Sequence, residues 1–448
     1  MTRSTLSDWL GAAAIALLLF VVYNANGREI GSYDSQPTKY AARELLLRGT
    51  LSLNHVVGRT PQLAERPAFV TAENGRYRSA YSPVPAIAAA VIVWPIWKAG
   101  LLDVRTPWAP TIIAVVAAST LTAIAVALTF LTARRFLPAP RAAVLAAALG
   151  LGTGYWSTVS QTLWQHETAA FGLALFLLAF TTFGSLRRTG LIVAGIGLGI
   201  AGTSRPQLAP AIAVLLAGVF FVAGLRSGLI TAAIVAVFAA ALISFQVRWF
   251  GTPLGAIAQL EALHPAVHAT ERSFNFSAAG FLGLLVSPNR GLFIFTPITL
   301  VALGGVRQAF VRGVRSPLLW CLLAALVQYM FYGAYSVWWG GHTYGPRYML
   351  DVLPLLVPLA AVALASLRPR SVPGVLASAA LAWSITVAAT GAFFFPHDRW
   401  NVDPYDVDRH HERLWHWSDM QIVRCWQRGP SPQNFDLFRL NSETKTAR

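Results

Sequence analysis

LITAAIVAVFAAALISF, residues 229–245, runs without a single charged side chain, as does LGAAAIALLLFVVY at 10–23. A helix of about 20 apolar residues crosses the bilayer core, where only helices and closed barrels satisfy their own backbone groups. Barrel strands alternate apolar and polar residues, whereas these blocks are continuous. Hydrophobic residues make up 55% of the 448, and charged ones only 12%, against about 25% charged in ordinary soluble domains. The fold class is therefore an all-α polytopic membrane protein.

Apolar runs recur near 8–24, 82–98, 108–132, 139–157, 168–184, 190–204, 207–225, 229–248, 291–306, 316–337, 348–366 and 372–394. The run at 82–98 is flanked by SPVP (82–85) and contains WPIW (94–97) followed by Lys98. Trp, Pro and Lys suit an interface, so this run reads as a helix lying on the outer surface. The remaining eleven or so runs then cross. Arg3, Arg134, Arg135, Arg187, Arg188, Arg226, Arg307, Arg312, Arg315, Arg368 and Arg370 all fall on one side, the cytoplasmic side under the positive-inside rule. The expected organisation is a transmembrane module (1–394) with a first outer loop at 25–107 and an outer lid loop at 249–290. An extracytoplasmic tail follows at 395–448. The N-terminus is expected inside, as an uncleaved first helix, and the C-terminus outside.

The net charge of +16 would suggest nucleic acid in a soluble protein. Here much of it orients the chain, so no nucleic-acid partner is expected. No GxxxxGK[ST] or helix-opening GxGxxG occurs, so no nucleotide-binding domain is expected. Cys321 and Cys425 imply no disulfide framework.

Ionisable groups at membrane depth are functional candidates. Arg205 in SRPQ (204–207), Arg290 in SPNRG (287–291) and Arg347 in WWGGHTYGPRYM (338–349) are each flanked by Pro or Gly, and all fall at the outer boundary. Snorkelling accounts for any one of them, but three at one depth point to a shared anion, since guanidinium pairs bidentately with phosphate. A lipid phosphate fits that position. Asp34 in SYDSQPTKY (32–40) precedes a short helix predicted over 39–49, and either caps that turn or acts chemically. Glu167, beside His166 in LWQHET (163–168), is one of few carboxylates at membrane depth.

These segments resemble the GT-C glycosyltransferases, especially family-39-like enzymes that use polyprenyl-phosphate sugars. The resemblance rests on YDSQPTKYAARELLLRGTLSL (33–53), YSPVP (81–85), SRP (204–206), LLVSPNRGLFIFTP (284–297) and GGHTYGPRYMLDVLPLL (340–356), in that order, and covers residues 1–366. Many relatives carry two acidic residues in the first-loop motif; Ser35 holds the second place here, leaving the burden on Asp34. The resemblance implies an inverting transferase with Asp34 as general base. Lys39, Arg205, Arg290 and Arg347 would hold the donor phosphate, and His166, Glu167, His342 and Tyr344 would meet the acceptor or sugar. The partners implied are a polyprenyl-phosphate sugar, membrane lipid, and a glycan, protein or lipid acceptor. No cofactor or metal is required, although Asp34, His166, Glu167 and His342 are donors a divalent ion accepts. A flippase for lipid-linked glycans and a non-catalytic subunit are the competing classes. The loop sequence HPAVH (264–268) reads as part of the lid, because its Pro spoils HxxxH helical geometry. The tail's tryptophans, in DVDRHHERLWHWSDM (406–420) and nearby, are expected to pack on the bundle, with sugar stacking as the alternative.

Overall fold

The 229–245 block lies inside one continuous helix, Leu225–Phe250. In the computed structural model of the chain, residues 5–66, 68–182, 188–257, 259–260 and 274–439 are described. The long-loop residues Glu261, His264, His268 and Glu271 lie outside them, and so does the expected behaviour of that loop as a lid.

The bundle is built from α1 (Leu6–Asn24), α2 (Gln36–Arg48), α3 (Asn54–Arg59), α4 (Val84–Lys98), α5 (Ala109–Ala133), α6 (Ala139–Leu151), α7 (His166–Phe180) and α8 (Arg188–Ser204). It continues with α9 (Ala209–Ala223), α10 (Leu225–Phe250), α11 (Ala278–Val286), α12 (Leu292–Phe295), α13 (Val306–Arg312), α14 (Pro317–Ala334), α15 (Leu353–Ser366), α16 (Val372–Phe393) and α17 (Gln421–Arg428). Among the described residues, six helices are long and apolar enough to cross a membrane, and shorter apolar helices accompany them. The chain is an integral membrane protein of the expected all-α class. A two-stranded antiparallel hairpin, Phe69–Thr71 with Tyr77–Ser79, interrupts the first long loop.

Lipid-like surroundings give helices no hydrophobic reason to associate, so close packing through small residues does that work. The contact between α7 and α8 shows it: a Cβ on Gly172 would meet the Gly197 carbonyl at 2.6 Å, and one on Gly197 the Gly172 carbonyl at 2.7 Å. The expected span near 291–306 departs from a regular helix. It is split into α12, a 3-10 stretch Pro297–Gly305, and α13. Pro297 cannot donate to a preceding turn, and Gly305 sits so tightly on α15 that a Cβ would lie 2.3 Å from the Leu359 carbonyl.

The helix directions separate two ends. At one, Arg134 donates to Asp8 at 2.7 Å, and Arg141 donates to the Leu364 and Ala365 carbonyls. At the other lie Asp34, Arg205 and Arg347. Helix α4 remains at this second end: Tyr81, just before it, stands beside Asp34, while Arg43 of α2 binds the Val104 carbonyl, just after it, at 2.9 Å. Both of its flanks thus stand near residues of the α1–α2 connection and of α2.

The tail folds onto the bundle at the same end. Ser287 donates to the Leu414 carbonyl at 2.6 Å and Asn289 to the Arg413 carbonyl at 3.0 Å. Farther on, Phe435 N–H reaches the Asn26 carbonyl at 2.7 Å. Trp400 is wholly buried between the guanidiniums of Arg290 (5.2 Å) and Arg413 (4.6 Å), so this tail tryptophan packs on the bundle. Cys321 and Cys425 are both free.

Candidate active site

Asp34 sits in a single 3-10 turn, Tyr33–Ser35, whose N-cap Ser32 accepts the Asp34 amide at 3.2 Å. The capping role suggested by the sequence thus falls to Ser32, and the Asp34 carboxylate is left free of the backbone. Its Oδ2 lies 3.9 Å from Arg347 Nη2. Asp34 is 41% exposed at its side chain and Arg347 only 13%, so the carboxylate stands at the mouth and the guanidinium deeper. Arg347 stacks over Trp164 at 4.7 Å, using the planar face that Lys lacks.

Behind Arg347 lies a buried polar cluster. Tyr348 has the guanidinium carbons of both Arg347 and Arg205 at 5.7 Å from its ring centre. Arg205 Nε donates to Asp351 Oδ2 at 2.5 Å, Tyr332 OH donates to the same oxygen at 2.5 Å, and His166 Nδ1 meets Asp351 Oδ1 at 2.8 Å. The Pro206 turn after α8 and the 3-10 stretch Arg347–Asp351 before α15 bring these side chains together. Glu167 is fully buried; its Oε2 accepts the Gln165 amide at 3.1 Å.

Several polar atoms in this cluster are buried without a protein partner: Arg205 Nη2, Arg347 Nε, His166 Nε2, Trp164 Nε1 and Glu167 Oε1. Buried polar groups are nearly always hydrogen-bonded, so their grouping around Trp164, His166 and Arg205 makes this cluster the candidate site. Four of the five belong to groups that can donate.

Asp34, Arg347, Arg205, His166 and Glu167 are therefore brought together. The other candidates are engaged elsewhere. Lys39 pairs with Glu29 at 2.5 Å, and Glu29 in turn accepts from Thr162 at 2.6 Å. Arg290 corrects the expectation of a shared phosphate cradle. Its five N–H groups go to the carbonyls of Trp339, Asn289 and Gly341 and to the side-chain oxygens of Gln421 and Asn401, at 2.7–3.2 Å. It organises the tail and has no donor left for a phosphate. Tyr344 is buried and donates to the Val387 carbonyl at 2.9 Å. His342 faces Asp406 and Asp408 of the tail. Among the described residues, it is this trio, and not Asp34, His166, Glu167 and His342, whose ligand atoms are close enough to share an ion.

Asp351, the shared acceptor of this cluster, is the residue that sequence reading passes over, although it lies within GGHTYGPRYMLDVLPLL. It is a carboxylate at the start of an apolar run, the signal that singles out the arginines.

No family model matches the chain, and no curated protein does. Solved structures do. The Archaeoglobus fulgidus oligosaccharyltransferase in complex with zinc and sulfate superposes with a TM-score of 0.51 at 13% identity, over 93% of this chain and 58% of that one. The same organism's AglB, in complex with an inhibitory peptide and a dolichol-phosphate, gives 0.49 at 12%, over 94% and 61%. At 13% identity the likeness is one of fold, a helical membrane bundle. The chain spans about three fifths of the length of those proteins.

Proposed function

We propose that the chain is an inverting membrane glycosyltransferase that moves a sugar from a polyprenyl-phosphate donor to an acceptor hydroxyl or amide at the extracytoplasmic face. The observation that carries this reading is the Asp34–Arg347 pair at 3.9 Å, standing in front of buried donors that lack protein partners. A carboxylate within reach of an entering acceptor, backed by guanidinium groups, is what displacement of a lipid phosphate needs.

In this mechanism the acceptor attacks the anomeric carbon while the bond from that carbon to the phosphate oxygen breaks, and the acceptor's proton passes to Asp34. Correctly placed proton transfer contributes about 10²–10⁴-fold. Negative charge accumulates on the departing polyprenyl phosphate, where Arg347 and the free Nη2 of Arg205 stabilise it. Donors aimed at charge that develops during reaction act without reorganising. Asp351 occupies Arg205 Nε, which fixes that guanidinium's orientation and leaves its outer edge for the ligand. Single displacement inverts the anomeric centre. Lys39 and Glu29 form an ion pair along the first outer loop beside the Asp34 turn, a support for that turn in this reading. The arginines gathered at the opposite end support, by the positive-inside rule, a site outside the cytoplasm.

Transfer of radiolabelled sugar from a panel of polyprenyl-phosphate sugars, by wild type and Asp34→Asn, tests the proposal. Activity on one donor, lost in the folded variant, supports it. Polyprenyl-phosphate binding without transfer from any donor would instead favour a flippase or a non-catalytic subunit.

A further inference from the structure

Away from the Asp34–Arg347 pair, three metal-ligating side chains meet where the tail crosses the loop that carries Arg347. The turn at 406–408 is curled by the Asp408 amide, which donates to Asp406 Oδ1 at 2.8 Å, so both carboxylates face the same way. His342 Nε2 lies 3.0 Å from Asp406 Oδ1 and 3.4 Å from Asp408 Oδ2. All three ligand atoms fall within 4.8 Å of one another. A single imidazole N–H cannot serve two carboxylates well. A divalent ion satisfies all three at once. Ligands held about 2.0–2.2 Å from a tetrahedral zinc-type ion lie roughly 3.3–3.5 Å apart, near the 3.0 and 3.4 Å that separate His342 from the two carboxylates.

The surroundings fit the same reading. Asp408 Oδ1, the oxygen turned away from His342, accepts the Trp339 indole N–H at 2.7 Å. Outer hydrogen bonds of this kind orient metal-binding carboxylates. The His411 ring packs on Trp339 at 4.1 Å and its Nε2 meets the Asp408 carbonyl at 2.9 Å, closing one side. His342, Asp406 and Asp408 retain 37%, 39% and 20% side-chain exposure, enough for an ion to enter and for water to fill a fourth position.

We propose that His342, Asp406 and Asp408 form a three-ligand site for a divalent transition ion of the zinc type, which staples the tail to the Arg347 loop. His342 precedes Arg347 by a Gly345–Pro346 turn, so the ion fixes one end of the segment that positions Arg347. The site stands independently of the transfer reaction.

The test is titration of the full-length, chelator-stripped protein with Co²⁺, followed by visible absorption, and then competition with Zn²⁺. One Co²⁺ per chain with tetrahedral bands, displaced by Zn²⁺, is expected in wild type. His342→Gln and Asp408→Asn should weaken binding at least 10-fold, and Zn²⁺ should raise the melting temperature of wild type but not of either variant. Should these variants fail to fold, the wild-type titration and Trp339→Phe, which keeps every ligand and should weaken binding about 10–100-fold, decide the matter. No stoichiometric Co²⁺ in wild type overturns the proposal, and so does undiminished binding in folded His342→Gln, which would put the ion elsewhere.

Discussion

Arg205 Nε and Asp351 Oδ2 are 2.5 Å apart, with side chains 5% and 1% exposed. They come from a Pro-capped turn after α8 and from the entry to α15, so the bond ties together two elements far apart in sequence. Asp351 also receives Tyr332 and His166, and thus serves as the common anion of the buried cluster. Removing one partner of a buried ion pair leaves the other charge uncompensated, at about 3–5 kcal/mol. Asp351→Ala should therefore lower the melting temperature in detergent markedly, whereas Asp351→Asn, which keeps a hydrogen-bonding oxygen, should be milder. If Asp351→Ala melts like wild type, the pair is not organising the cluster.

Arg347 joins charge to a planar contact with Trp164. Arg347→Lys retains the first and loses the second together with bidentate geometry. Under the proposed mechanism, Arg347→Ala should reduce kcat/KM for the lipid donor on the order of 10²–10³-fold, by analogy with loss of one transition-state donor. Arg347→Lys should recover only part of that. Steady-state kinetics on the active donor makes the comparison; full recovery by Lys would mean that charge alone matters.

Much of this was legible in the sequence because membranes constrain sequences severely. Uninterrupted apolar blocks gave the helices. Isolated Arg205 and Arg347 beside Pro pointed to the buried polar cluster because a cation at that depth requires a reason. What could not be read is which partner satisfies each charge. Arg290 and Arg347 have nearly the same local sequence character, with Gly or Pro beside an apolar helix. One is saturated by the Trp339, Asn289 and Gly341 carbonyls together with Gln421 and Asn401 of the tail, and the other faces Asp34, partners that the local sequence does not reveal. Asp351 was hidden for the same reason: its meaning depends on His166 and Arg205. The break at Pro297–Gly305 was likewise invisible as a helix failure, since its apolar content is that of a span.

A buried carboxylate in the tail gives a pH dependence. Asp398 caps the Trp400 amide through Oδ1 at 2.8 Å, while its Oδ2 is buried without a partner. Burial raises its pKa above the usual carboxylate value of 3.8. The folded tail therefore holds this proton more tightly than the unfolded chain does. Docking is penalised at neutral pH and strengthens as pH falls through the raised value, until the unfolded group also protonates near 3.8. Asp398→Asn should remove this contribution and stabilise the docked tail at pH 7. Melting curves of both proteins across pH 4.5–7.5 make the check: the difference between them should shrink toward acid. A difference that widened toward acid would reverse the assignment.

Trp400 is the largest side chain fully buried where the tail meets the bundle, held between Arg290 and Arg413 with its indole N–H on the Asp419 carbonyl at 2.8 Å. Truncating a buried Trp to Ala costs about 3–5 kcal/mol through lost burial and the cavity left behind. Here the loss falls on a local interface, because the helices have their own contacts. Trp400→Ala should therefore expose the tail to limited proteolysis while the apolar bundle remains folded, as judged by helical circular dichroism. Arg290 then loses its aromatic face but keeps its five oxygen partners only if Asn401 and Gln421 stay docked. Arg290→Lys should accordingly reproduce the proteolytic sensitivity with Trp400 intact, since an ammonium cannot reach all five acceptors. If Arg290→Lys left the tail protected and instead abolished polyprenyl-phosphate binding, Arg290 would belong to the phosphate cradle after all, and the tail would be held by its other contacts.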